Sequence, residues 1–120
     1  MATIKAYTDI EQSRKLAEML PLESADMYYF TIIRNYPYSQ GKIKTIAKIM
    51  DGSFSSDYDT PCWSLAALFG VLPNDTSLLY FDDAYQMVYD KKPYVISNKF
   101  DNPVDACYEV IIKLYELKML

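Results

Sequence analysis

Ile10, Leu16, Ala17 and Leu20 recur at helical spacing among charged residues, behind Thr8 and Glu11 at capping-box separation, and Pro21 closes the run. This predicts a first helix over Asp9 to Leu20. The run Met27-Tyr28-Tyr29-Phe30-Thr31-Ile32-Ile33-Arg34 is aromatic and β-branched, which predicts a strand; being apolar at both parities, it needs cover on both faces or an interface. Asn35 to Gly41 reads as the turn after it. Lys42 to Met50 fits two patterns: Ile43, Thr45, Ala47 and Ile49 alternate with lysines, while Ile43, Ile46, Ala47 and Met50 also suit a helix. The clean lysine parity and the short linking loop favour a strand paired with the preceding one. Asp51 to Thr60 is a polar loop by composition.

Thr60-Pro61 reads as a helix start, with a capping oxygen followed by proline at the first helical position. The predicted helix runs from Pro61 to about Val71, is apolar nearly all round and is therefore expected to be buried nearly all round. Three β-prone runs follow, Ser77 to Phe81, Tyr85 to Tyr89 and Tyr94 to Asn98, with linkers short enough to imply an antiparallel meander. Asn102-Pro103 repeats the cap-plus-proline signal, and the last helix carries Val104, Cys107, Tyr108, Ile111, Leu114 and Tyr115 on one broad face. The order predicts an α+β fold: an antiparallel sheet, as a meander plus a hairpin, packed with about three helices in one domain over residues 1–120.

Composition narrows the chemistry. The 120 residues contain no histidine, which excludes Ser-His-Asp and Cys-His machinery and a histidine pH switch within this chain. A net charge of -4 argues against binding long nucleic acid by phosphate neutralisation. No apolar run approaches the roughly 20 residues of a membrane span, and the first residues lack the apolar core of a signal peptide, so a cytoplasmic protein away from the membrane is expected. Cys62 and Cys107 lack metal-knuckle spacing and read as reduced, buried side chains. No cofactor and no metal are expected.

Ala17 to Met27, Pro61 to Leu68 and Asp101 to Cys107 are the stretches in which the sequence resembles a group of small, uncharacterised proteins of gut Bacteroidales and their prophages and phages. Tyr28 to Asp59 and Asn74 to Phe100 lie outside the resemblance. The group carries no assigned activity, so it transfers no catalytic residue. It implies a setting, that of a mobile-element accessory protein acting against host or competitor systems.

Each candidate site has a structural counterpart. Cys62, placed near a predicted helix start where the dipole would favour a thiolate, lacks a histidine base and reads first as a small apolar residue beside Trp63. Trp63 and Ser64 read first as packing and as a helix-start hydrogen bond. Asp57 with Asp59, Asp82 with Asp83, and Asp101 with Asp105 could be drawn as hydrolase or magnesium pairs, but adjacent carboxylates in turns are mostly turn and cap formers. Gly41, Gly52 and Gly70 make no phosphate-binding pattern. Arg34, Lys42, Lys44 and Lys48 could hold a small anion, while lysines on an edge strand also serve to block edge-to-edge pairing.

Tyrosine is the outlying residue type, 12 of 120 against 5 Phe and 1 Trp. Its apolar ring and polar tip suit recognition surfaces. Tyr85, Met87 and Tyr89 share one face by period-two counting, with Tyr94 and Ile96 extending it; alternatively these residues close the sheet over the helices. The sequence therefore points to a non-enzymatic accessory protein that binds a protein partner, or itself as a homo-oligomer, through Tyr85, Met87, Tyr89 and Tyr94. The alternative is a sequestering anti-defence protein that stacks a signalling nucleotide on tyrosine and holds its phosphate with the cationic residues.

Overall fold

The computed structural model describes residues 4–33, 43–49 and 60–120. It is an α+β fold with three α-helices and two three-stranded antiparallel sheets among the described residues. The chain divides into two units, residues 9–63 and residues 1–8 with 64–120, and each is described by itself.

In the unit of residues 9–63, helix α1 spans Ile10–Met19. Its cap is Asp9, not Thr8: the Gln12 amide donates to Asp9 Oδ1 at 2.8 Å and the Asp9 amide donates back to Gln12 Oε1 at 3.1 Å. Two overlapping S/T/D-x-x-E/Q signatures were present, and the one placed a residue later formed the reciprocal box, leaving Thr8 buried. Pro21 ends the helix and opens a single 3₁₀ turn, Leu22–Ser24. The Ser24 hydroxyl donates to Pro21 O at 2.6 Å and accepts from the fully buried Trp63 Nε1 at 3.0 Å, so the indole proton is satisfied in the core.

Strand β1, Met27–Ile33, is the middle of its sheet. It is paired along both edges, and Met27, Tyr28 and Tyr29 are half-buried at either parity. On one side β2, Ile43–Ile49, pairs antiparallel with it in a register that sets Met27 opposite Ile49 and Ile33 opposite Ile43, so the ambiguous segment is a strand. On the other side lies β3, Thr60–Cys62, with Met27 opposite Cys62. Thr60-Pro61 is thus the start of a strand and not of a helix. Proline is admissible because β3 is an edge strand, and the extended backbone puts Pro61, Cys62 and Trp63 in the interior. The turn 35–41 and the loop 51–59 lie outside the described residues.

In the second unit, Ser64 caps α2, Leu65–Val71, its Oγ accepting from the Ala67 amide at 3.2 Å. The helix is shorter than expected and not buried all round: Leu68 is fully enclosed, whereas Ala66, Phe69 and Gly70 are exposed. β4, Thr76–Phe81, β5, Ala84–Tyr89, and β6, Val95–Ile96, form the meander in that order. Asp82 and Asp83 join β4 to β5 with φ of 52° and 57°, the left-handed pair that a two-residue hairpin turn demands and that aspartate tolerates. These adjacent carboxylates are turn formers.

Helix α3, Pro103–Glu116, begins as its sequence promised: Asn102 Oδ1 accepts from the Asp105 amide at 2.8 Å, with proline in the first turn. Asn102 Nδ2 also donates to Asp101 Oδ1 and Asp105 Oδ2, both at 2.8 Å. Lys5 then reaches Asp105 Oδ1 at 2.8 Å, the Leu65 amide donates to Ala6 O at 3.1 Å, and Tyr7 bridges Ser64. Lys5, Ala6 and Tyr7 are therefore held where α2 and α3 begin.

A Cβ placed on Gly70 would meet nothing within 4 Å. Gly70→Ala is therefore expected to stabilise the protein by about 0.5–1 kcal/mol, by restricting the unfolded chain and favouring the helix. Urea unfolding followed by circular dichroism checks this, and a midpoint shifted downward contradicts it.

Candidate protein-contact face of the second sheet

The register of the β4-β5-β6 sheet assigns every residue to a face. Tyr89 opposes Thr76 and Val95, Met87 opposes Leu78, and Tyr85 opposes Tyr80. This is the inner face, against which α3 packs. Met87 is fully buried, and Tyr89 and Val95 nearly so, together with Val104, Cys107, Val110, Ile111 and Leu114 of the helix.

The contact face expected from Tyr85, Met87 and Tyr89 is thus the core side of the sheet. Alternation along β5 was read correctly, but which side faces water depends on where α3 lies. Tyr85 is half-buried and stacks obliquely on Tyr80, ring centres 4.7 Å apart. The 61% exposed Tyr80 ring lies at the uncovered end of the inner face. Its hydroxyl sits 3.3 Å from Asp83 Oδ1, and that negative charge raises the phenol above its ordinary value. Tyr94 is 61% exposed. It precedes β6 and does not continue the Tyr85–Tyr89 face: Val95 turns inward beside Tyr89, and Ile96 falls on the opposite side with Val88.

The outer face is built from Ser77, Leu79 and Phe81 of β4, Ala84, Gln86 and Val88 of β5, and Ile96 of β6. Ile96 is 51% exposed and Leu79 42%, with Phe81 also exposed. Lys99 Nζ stands 4.7 Å over the Phe81 ring, and Gln86 Nε2 donates to Ser97 O at 2.8 Å. Among the described residues of this unit, α3 packs on the other face and no helix is paired with this one. It escaped sequence reasoning because its residues come from three strands whose relative parity is set by loop geometry. The available signal was the second parity of Ser77 to Phe81, which is as apolar as the first.

Beside this face, a groove of about 360 Å³ lies between β6 and the end of α3, lined by Tyr94, Val95, Ile96, Lys113, Glu116 and Leu117. Its cation is engaged: Lys113 Nζ pairs with Glu109 at 3.0 Å and donates to Ile96 O at 3.1 Å. Of the residues expected to hold a small anion, Arg34 and Lys42 lie outside the described residues, and Lys44 and Lys48 stand in the edge strand β2, opposite Ile32 and Tyr28. Asp57 and Asp59 also lie outside them. Asp101 and Asp105 surround the cap of α3, as turn and cap formers do. Among the described residues no three metal-ligating side chains converge, and no helix is long and apolar enough to cross a membrane.

Cys62 lies in the strand β3 and not within the first turn of a helix, and is buried, as is Cys107 in α3. Burial pushes the Cys107 thiol from 9.0 to about 12. Compared with protein-family models, curated proteins and solved structures, the chain matches none of them.

Two outcomes are expected. Met87→Ala should cost about 2–5 kcal/mol by opening a cavity, whereas Ile96→Ala should change stability by no more than about 0.5 kcal/mol; equal costs in chemical denaturation would contradict the assignment of faces. Raising the pH should destabilise the protein through Cys107, because the unfolded thiol ionises near 9 while the folded one stays protonated to about 12. The contribution is fully present below pH 9 and is lost as the pH climbs towards 12. Denaturation of Cys107→Ala over the same range, showing a flatter decline than the parent, checks it.

Proposed function

We propose that this chain is a non-enzymatic accessory protein that binds a protein partner through the outer face of its second sheet. The supporting observation is the row of exposed apolar side chains, Leu79, Phe81 and Ile96, around the half-buried Val88 on that face. Scattered apolar residues on a surface need no explanation, but a patch that crosses all three strands of a sheet is of the kind that marks interaction sites. Tyr94 stands next to it in sequence and offers a ring with a hydrogen-bonding tip, the residue type enriched at interface centres. The Asp82-Asp83 turn at one end and Lys99 over Phe81 supply a charged rim of both signs.

The setting proposed is that of the resemblance above, a mobile-element product whose partner belongs to a host or competitor system. The small-ligand alternative gains no support from the described residues, since its cations lie in β2 or outside them and Lys113 already holds an acid and a carbonyl.

Ile96→Lys tests the reading, because it places a charge in the patch at an exposed position that the fold does not need. Immobilised parent protein is expected to retain a stoichiometric partner from a gut Bacteroidales lysate, with retention at least about tenfold lower for Ile96→Lys. Equal retention by both, read by quantitative mass spectrometry, or none by either, would overturn it.

A further inference from the structure

The outer edge of β4 offers backbone hydrogen-bonding groups in an arrangement that matches itself. Phe81 and Ala84 close the two-residue turn, so Phe81/Ala84, Leu79/Gln86 and Ser77/Val88 are the pairs that exchange hydrogen bonds across β4 and β5. The intervening residues must point the other way. On β5 they do: Tyr85 exchanges bonds of 2.7 and 2.9 Å with Phe100, and Met87 O accepts from the Ser97 amide at 2.9 Å while its own amide donates to Ser97 Oγ at 2.9 Å. On β4 the counterparts are Leu78 and Tyr80, whose N–H and C=O project from the edge of the sheet. Thr76 projects there too, but its amide already donates to Pro73 O at 3.3 Å.

Edge strands are ordinarily blunted by lysine, proline or a bulge. The first sheet follows that rule, its edge strand β2 reading IKTIAKI and its edge strand β3 containing Pro61. β4 reads TSLLYF, without charge or proline, and pairs residue for residue with β5 without a bulge.

We propose that β4 pairs antiparallel with β4 of a second copy of this chain about a two-fold axis at Leu79, joining two three-stranded sheets into one of six strands. This deepens the protein-contact reading and rests on it, since it places a protein at the same sheet. In this register Leu78 faces Tyr80 of the second copy and Tyr80 faces its Leu78, so each projecting N–H meets a C=O and each C=O an N–H. An axis at Leu78 would require the engaged amide of Thr76, and one at Tyr80 would draw Asp82 of the turn into the pairing. The paired positions are the five from Ser77 to Phe81, none of them charged, and the two outer faces become one apolar surface. A six-residue edge buries less than the roughly 800 Å² per partner of a standard interface, so the dimer is reversible and concentration-dependent.

Sedimentation velocity on the full chain from about 1 to 300 µM, a range spanning micromolar affinities, is expected to show a monomer–dimer equilibrium. Leu79→Lys brings two ammonium groups together on the axis and should raise the dissociation constant at least about tenfold, with the circular dichroism spectrum unchanged. Ile96→Lys, two strands away, should leave the dimer intact. Leu79→Cys should cross-link under mild oxidation, because a non-hydrogen-bonded pair places its Cα atoms about 4.5 Å apart, within disulfide reach; Ser77→Cys, which faces Phe81 of the second copy, should not. A monomer throughout the range would overturn edge pairing while leaving the outer-face reading standing. A dimer that survives Leu79→Lys, or that fails to cross-link through Leu79→Cys, would overturn it as well. Loss of the dimer in Ile96→Lys without a cross-link at position 79 would do the same and would favour face-to-face association through the patch.

Discussion

Burial of one face of the β4-β5-β6 sheet beneath α3 is the constraint from which the second unit follows. Met87, Tyr89 and Val95 on the sheet and Val104, Cys107, Val110, Ile111 and Leu114 on the helix leave water together. At about 25 cal/mol per Å² of apolar surface, side chains of this size outweigh any hydrogen bond of the turns that connect them. Once that face is inward, the pleat leaves Leu79, Phe81, Val88 and Ile96 on the other. The same packing holds the Cys107 thiol protonated and fixes where the cap of α3 sits. Lys5 and Ala6 are then drawn to the starts of α3 and α2.

The unit of residues 9–63 uses a different device. The Trp63 indole is enclosed and donates to Ser24, whose hydroxyl donates in turn to Pro21 O. An unsatisfied indole N–H in that position would cost on the order of 1–3 kcal/mol, so the turn after α1 and the end of β3 are specified together. This competition also explains the fate of Thr60-Pro61. Two helix-start signals stand four residues apart, at Thr60 and at Ser64, and either could cap α2. Only the later one leaves Pro61, Cys62 and Trp63 extended, so that Thr60–Cys62 pair with β1 and all three of those residues are buried.

The two sheets treat their edges unequally. β2 carries lysines and β3 a proline, whereas β4 exposes an uncharged strand beside an apolar outer face. Among the described residues of its unit, β4 has no strand beside its outer edge, and Leu79, Phe81 and Ile96 on the outer face are exposed; the proposed protein contact rests on that combination. The tyrosine excess contributes less to that surface than its number suggests: Tyr89 lies in the core and Tyr85 packs on Tyr80, while Tyr94 and Tyr80 reach solvent.

By itself the sequence determined the local features, because these depend on neighbours a few residues away: the Asn102-Pro103 start of α3, the Asp82-Asp83 hairpin turn, the end of α1 at Pro21, the strand character of Met27–Ile33 and of Ile43–Ile49, and the α+β class that their order implies. It also placed Tyr85, Met87 and Tyr89 on one face of one strand, since alternation is a property of the backbone. Tertiary structure alone decided whether that face looked to water or to α3, which of two caps began α1 and α2, and whether Tyr94 and Ile96 continued the β5 face or opposed it. Each of those outcomes turns on the free energy of burying side chains contributed by distant segments. A period of two repeats identically on both sides of a strand until something packs against one of them.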